Sequence, residues 1–253
     1  MVEIWFYAII SVILVSLLSF LGIVIIFLKL RKIKTLLLFF MSFSIGALLG
    51  DSFIHLLPEA VEASGFTFQI SVFVMFGFVL FFLIEKIVHW KHNHSYGLYH
   101  KCSTKKKSII VINLVGDGIH NFIDGIIIGI SYFVSIPVGI ATTVAVILHE
   151  IPQELGDFGV LVYGGLSKTR ALFFNFLSGL IALVGVLLIL LFGSVVGNYS
   201  GIMLPFAAGG FIYIAGSNLI PELHKKIRMK ETIIEIIGII LGIVVMVGLL
   251  YVG

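Results

Sequence analysis

Nine side chains able to hold a cation are crowded into two short stretches of an otherwise apolar sequence. In GDGIHNFIDG (116–125) they are Asp117, His120, Asn121 and Asp124, and in LHEIPQELGD (148–157) they are His149, Glu150, Gln153, Glu154 and Asp157. Imidazole combined with carboxylate suits zinc and related divalent ions, and the i, i+4 pair His120/Asp124 puts two donors on one helical face. At about 100° per residue the first set falls within an arc of roughly 100° and the second within roughly 140°. Each stretch, as a helix, has one polar stripe and an apolar remainder. Two such stripes face to face would enclose a cavity whose walls replace the hydration shell of a cation in transit.

The same groups could instead hydrogen-bond one another and tie a bundle together, but nine on two helices exceed what packing needs. Asp117 and Asp157, at the stripe ends, fit equally as groups that orient a ligand and as helix-end partners. Pro152 cannot donate a backbone hydrogen bond and its ring disturbs the Leu148 carbonyl, which predicts a kink beside His149 and Glu150. Gly125, Gly129, Gly156 and Gly159 offer close helix approach.

The elements that must position these residues are membrane helices. The chain has 253 residues, 60% of them apolar and 11% charged, with a mean hydropathy of +1.20. A soluble domain carries about 25% charged residues. Cys102 is the lone cysteine, so no internal disulfide is available. Spans of about 20 apolar residues are expected at 4–28, 35–57, 67–88, 108–133, 137–162, 171–192, 202–220 and 232–252, making one transmembrane domain over 1–253. The first run reads as an uncleaved anchor, and apolar runs leave no room for a soluble domain. All 16 Lys and Arg fall on alternate connections, before spans two, four, six and eight. The positive-inside rule makes those connections cytoplasmic and both termini non-cytoplasmic. The net charge of +3 is thereby explained without a nucleic-acid partner.

Residues 41–59 align without gaps on 204–222, matching Phe43/Phe206, Gly46/Gly209, Leu56/Leu219, Pro58/Pro221 and Glu59/Glu222. The two segments run in opposite directions, so spans 1–3 and 6–8 read as inverted copies with 4 and 5 inserted between them. The expected fold is an all-α integral membrane protein with eight helices in a 3+2+3 arrangement. Inverted repeats around a midplane site mark secondary transporters.

At these residues the sequence resembles the ZIP family of zinc and iron transporters. HNFID (120–124) fits that family's fourth-span HNxxD pattern, and HEIPQELGD (149–157) fits the fifth-span HExPHExGD of its largest animal subfamily, with Gln153 in place of His. The second-span DSFIHLLPEA (51–60) is similar too. The resemblance implies a binuclear metal centre between spans four and five, with His120, Asn121, Asp124, His149, Glu150 and Gln153 as ligands and Asp124 bridging. It implies transport of Zn²⁺, or of Fe²⁺, Mn²⁺ or Cd²⁺, as substrate toward the cytoplasm, and a homodimer, for which the Gly238-x-x-x-Gly242 spacing allows helix pairing. No catalytic cofactor is expected. The amide of Gln153 is a weaker zinc ligand than imidazole, so one position holds zinc less tightly or selectivity moves toward harder ions. No Asp or Glu occurs between Lys168 and Pro221, which leaves a second metal position short of an acidic ligand from span six.

Further polar residues form a lower-ranked metal path. Asp51, His55 and Glu59 share one face at the outer end of span two, either drawing cations to the entrance or ending the helix in the interface. Asn218 and Glu222 match His55 and Glu59 at the inner end of span seven. Asp117, Glu154 and Asp157 complete the path. The loop 89–107 carries His89, His92, His94 and His100 and reads either as a metal-gathering loop or as a solvated connection, its spacing matching no closed zinc motif. A competing function is an intramembrane zinc hydrolase, since HEIPQ comes close to HExxH, but Gln153 replaces the second imidazole. The cell membrane is the expected location.

Overall fold

The computed structural model describes residues 2–23, 30–94, 102–192, 200–224 and 229–251. It is all-α, with eight membrane helices. Six helical runs are long and apolar enough to cross a bilayer: Val2–Leu21 (α1), Thr35–Ser64, Asn113–Val134, Ile136–Tyr163 (α5), Lys168–Leu191 (α6) and Met229–Leu249 (α8). Two shorter apolar helices, Phe68–Ile84 and Gly201–Ser217, complete the eight among the described residues. The second helix, α2, starts at Leu30, and α4 covers Cys102–Val134. Helix α3 covers Phe68–His94. Of the expected connection 89–107, residues 89–94 and 102–107 are helical and 95–101 lie outside the described residues.

Prolines set the irregularities. Helix α2 passes through a π turn at Asp51–Leu56 before Pro58. Helix α7 begins at Ser200 and passes through a π turn at Ile214–Leu219 before Pro221. A proline has no N–H for the carbonyl four residues back and its ring crowds that carbonyl, and a π turn relieves both. The two π turns occupy matching positions of the 41–59/204–222 alignment. The internal repeat read from five identities is thus also a repeat of backbone defects.

Packing repeats as well. Helix α2 lies along α8, and α3 lies along α7. A methyl group added at Gly46 would strike the Ile239 carbonyl of α8, and one at its repeat partner Gly209 would strike the Val74 carbonyl of α3. The order of contacts, Gly238 with Ser42 and Gly50 with Met246, makes α2 and α8 parallel. Gly77 with Phe206 and Gly210 with Phe81 make α3 and α7 parallel. Since α2 turns back into α3 across residues 65–67, α7 runs opposite to α2, as an inverted repeat requires. Gly238 and Gly242 are consumed by α2 of the same chain, so this spacing supplies no surface for a second copy.

The central helices follow the same logic. Helices α4 and α5 form an antiparallel hairpin closed at Ser135, whose hydroxyl accepts from the Val138 amide as N-cap of α5. Gly125 and Gly129 press against Ala182 and Ile189 of α6, but Gly156 and Gly159 face open space. Of the four glycines expected at helix contacts, only the α4 pair is so used.

Gly46→Ala is expected to cost about 1–3 kcal/mol through overpacking at α8. Gly156→Ala, with room for the methyl and a better helix former, should be neutral or gain up to about 1 kcal/mol. Thermal unfolding of the purified protein in detergent checks both, and equal shifts would contradict the packing described.

Candidate metal centre

Helices α4 and α5 bring together four of the nine polar side chains of the two stripes. His120, Asp124, His149 and Glu150 each offer one donor atom, and these atoms all lie within 4.8 Å of one another. His149 Nε2 is 3.1 Å from Asp124 Oδ2 and 3.5 Å from Glu150 Oε1. His120 Nε2 is 3.6 Å from Asp124 Oδ2, 3.2 Å from Glu150 Oε1 and 3.2 Å from His149 Nε2. Four atoms bound to a tetrahedral zinc at about 2.0–2.1 Å are separated by about 3.4 Å from each other. Five of the six separations, 3.1–3.6 Å, are close to that value.

Its charge points the same way. Asp124 and Glu150 are fully buried, His149 is 1% exposed and the His120 side chain is 18% exposed, so the cluster opens on the His120 side. Asp124 Oδ1 and both carboxylate oxygens of Glu150 are buried with no hydrogen-bond partner among the described residues. Two carboxylates with neutral imidazoles carry two negative charges, which a divalent cation cancels. The His149 ring is held for ligation: its Nδ1 lies 3.2 Å from the Ala145 carbonyl, one turn back. Donation there leaves the Nε2 lone pair facing the other three donors.

The remaining stripe carboxylates are satisfied differently. Asp117 accepts from Asn121 Nδ2 at 2.9 Å through Oδ1 and from the Ser178 hydroxyl through Oδ2. Glu154 accepts from the Ser19 hydroxyl at 2.8 Å and from the Asn175 amide. Asp157 accepts from Asn113 Nδ2 at 3.0 Å. Each is dissolved in neutral donors, and Ser19 comes from α1 while Asn175 and Ser178 come from α6. Asn121 turns its amide nitrogen to Asp117 and keeps a buried, unpartnered Oδ1. The Asn121 amide thus sits one step away from the converging four.

Sequence reasoning missed Ser16, Ser19, Asn175 and Ser178. The signal was present as polar pairs at i, i+3 inside apolar spans one and six.

Of the path residues, Asp51 is buried and accepts from Thr142 Oγ1 at 3.1 Å through Oδ2, its Oδ1 having no hydrogen-bond partner. His55 Nε2 donates to the Met246 carbonyl at 2.9 Å. The side chains of His89, His92, His94, Asn218 and Glu222, and all of His100, lie outside the described residues. Helix α5 runs unbroken through Pro152. In place of a break, Ser44 Oγ of α2 donates to the freed Leu148 carbonyl at 2.5 Å.

Comparison with known proteins agrees with this architecture. Residues 2–109 and 98–250 match the family model described as ZIP zinc transporter. The zinc transporter SLC39A7 of Canis lupus familiaris is 31% identical over 97% of this chain and 71% of its own length. The metal cation symporter ZIP14 of Xenopus tropicalis is 30% identical over 90% of this chain and 64% of its own. IAA-alanine resistance protein 1 of Arabidopsis thaliana is 42% identical over 55% of this chain and 30% of its own.

Asp124→Ala and His149→Ala should each weaken zinc binding by more than the roughly 100-fold that loss of an outer partner can cost. Asn113→Ala, which removes an amide bonded to Asp157 and none of the four donors, should stay within a few fold. Calorimetric titration of the purified variants with zinc reads all three, and an equal loss in Asn113→Ala would contradict a four-donor centre.

Proposed function

The chain belongs to the ZIP zinc transporter family, and from that premise we propose that it carries zinc across the membrane toward the cytoplasm through the His120–Asp124–His149–Glu150 cluster. The observation that carries this reading is the convergence of the four donors, whose atoms all lie within 4.8 Å of one another. Fe²⁺, Mn²⁺ and Cd²⁺ compete for the same donors, as imidazole and carboxylate accept each of them. Both termini lie on the non-cytoplasmic side of the cell membrane in this reading, supported by the gathering of all 16 Lys and Arg at or near alternate connections. The unpartnered Asn121 Oδ1 and the nearby Gln153 supply oxygen donors for a second, weaker ion.

The motion we propose follows from which helices are tied together. Ser16 of α1 donates to the Gly179 carbonyl of α6 at 2.8 Å, Ser19 of α1 to Glu154 of α5, and Ser178 of α6 to Asp117 of α4. Ser11 of α1 and Tyr132 of α4 share a hydrogen bond of 2.7 Å. Helices α1, α4, α5 and α6 are therefore laced into one body by buried polar bonds. Helices α2, α3, α7 and α8 pair through glycines and form the other, which meets the first through the Thr142–Asp51 and Ser44–Leu148 bonds. Access to the centre alternates, in this proposal, as the first body moves against the second. The ion cancels the cluster's charge, so the loaded body crosses the apolar region without two bare carboxylates.

Purified protein in liposomes filled with a zinc-sensitive dye tests the reading. Wild type is expected to admit zinc, and Asp124→Ala and His149→Ala to lose at least about 90% of the rate, a loss equivalent to about 1.4 kcal/mol or more of barrier. Normal uptake by both variants, with a zinc-dependent cleavage of peptide or lipid by the wild type, would overturn it in favour of a hydrolase.

A further inference from the structure

Prolines interrupt three helices of the bundle, Pro58 in α2, Pro152 in α5, and Pro205 and Pro221 in α7, and the chain treats Pro58 and Pro221 in one way and Pro152 in another. Upstream of Pro58 and Pro221 the backbone forms π turns. Around Pro152 it does not: α5 stays α-helical from Ile136 to Tyr163. The Leu148 carbonyl loses the amide donor that residue 152 would otherwise supply, in surroundings where an unsatisfied carbonyl is costly. Its partner comes from outside. Ser44 Oγ of α2 lies 2.5 Å from it.

That hydroxyl has a second acceptor. Ser44 Oγ is also 2.6 Å from the Phe40 carbonyl of its own helix. A hydroxyl carries one proton, so the two carbonyls compete for it. Bonding back to the i−4 carbonyl is the ordinary resting place of a serine inside a helix. Ser44 can thus leave Leu148 without becoming unsatisfied itself, whereas Leu148 cannot lose Ser44 without becoming an orphan.

Position makes this consequential. Leu148 directly precedes His149 and Glu150, two of the four donors. Ser44 belongs to the glycine-paired body, Leu148 to the body that bears the centre. We propose that Ser44 is a conformational latch: its hydroxyl caps the carbonyl freed by Pro152 while α5 is docked on α2, and returns to Phe40 when the two bodies part. The proposal rests on the two-body reading given above. The latch exists on one half only, since the residue matched to Ser44 in the repeat is Ala207, which has no hydroxyl. The arrangement seen here is therefore favoured over its symmetry-related counterpart by a bond that the counterpart lacks.

The test reads docking directly. Ala47 of α2 and Ala145 of α5 meet in one buried cluster, so an Ala47→Cys/Ala145→Cys pair in a Cys102→Ser background reports the docked arrangement by its rate of oxidative cross-linking in proteoliposomes. Ser44→Ala should slow cross-linking on the order of fivefold, the scale of one net hydrogen bond. Ser44→Thr, which keeps the hydroxyl, should match the parent. Pro152→Ala gives Leu148 an amide partner within α5, removes the need for the latch and should slow cross-linking equally. In the Pro152→Ala background Ser44→Ala should add nothing, because two changes to one bond are not additive. A merely structural serine would instead show the same loss in both backgrounds. That result, or parental rates in Ser44→Ala and Pro152→Ala, would overturn the latch. Zinc uptake by the parent and its loss in Asp124→Ala are scored separately, so failure of the latch and failure of the transport reading are distinguishable.

Discussion

Lipid offers a polar group no partner, so every carboxylate, amide and freed carbonyl within the bilayer must find one in the protein or in what the protein carries. That constraint sorts the polar residues of this chain. Asp117, Glu154 and Asp157 are met by serine hydroxyls and asparagine amides from α1, α4 and α6. Asp124 and Glu150 are not. Among the described residues Asp124 Oδ1 and both Glu150 oxygens have no hydrogen-bond partner, and in the reading proposed here a doubly charged ion between the four donors satisfies them. The same residue types thus do two jobs. The satisfied carboxylates lace helices into a body, and the unsatisfied pair gives that body something to carry.

The constraint also explains the placement of defects. The repeat conserves two prolines, Pro58 and Pro221, and each is preceded by a π turn that re-routes the backbone bonding. It conserves Gly46 and Gly209, each of which lets a carbonyl of the parallel neighbour come within van der Waals reach. Pro152 lies outside the repeat and its freed carbonyl is met by a side chain from another helix instead. Symmetry accounts for the frame, and the departure from it at Pro152 stands beside His149 and Glu150.

Much of this frame was legible in the sequence. Long apolar runs, the one-sided lysines and the 41–59/204–222 alignment led to eight helices and an inverted repeat without any contact being known. Helical periodicity put the nine polar residues on two facing stripes. It could not divide them, because periodicity fixes direction around an axis and not the distance to a partner on another helix. Asn121 shares the α4 stripe with two of the four converging donors, yet its amide nitrogen meets Asp117. Ser19, Asn175 and Ser178 went unread because a lone serine or asparagine in an apolar span gives a weak signal until the carboxylate opposite it is seen. The glycines of α5 were misjudged for a related reason. A small residue permits close approach but does not require it, and Gly156 and Gly159 have no neighbour to approach.

Everything rests on four side chains acting as a single ligand shell for one divalent ion. X-ray absorption at the zinc edge of the purified, zinc-loaded protein measures that shell directly. The account predicts a four-coordinate site with nitrogen and oxygen at about 2.0–2.1 Å, imidazole scattering from two histidines and no sulfur. Hydrated six-coordinate zinc without imidazole scattering, or thiolate from Cys102, would contradict it.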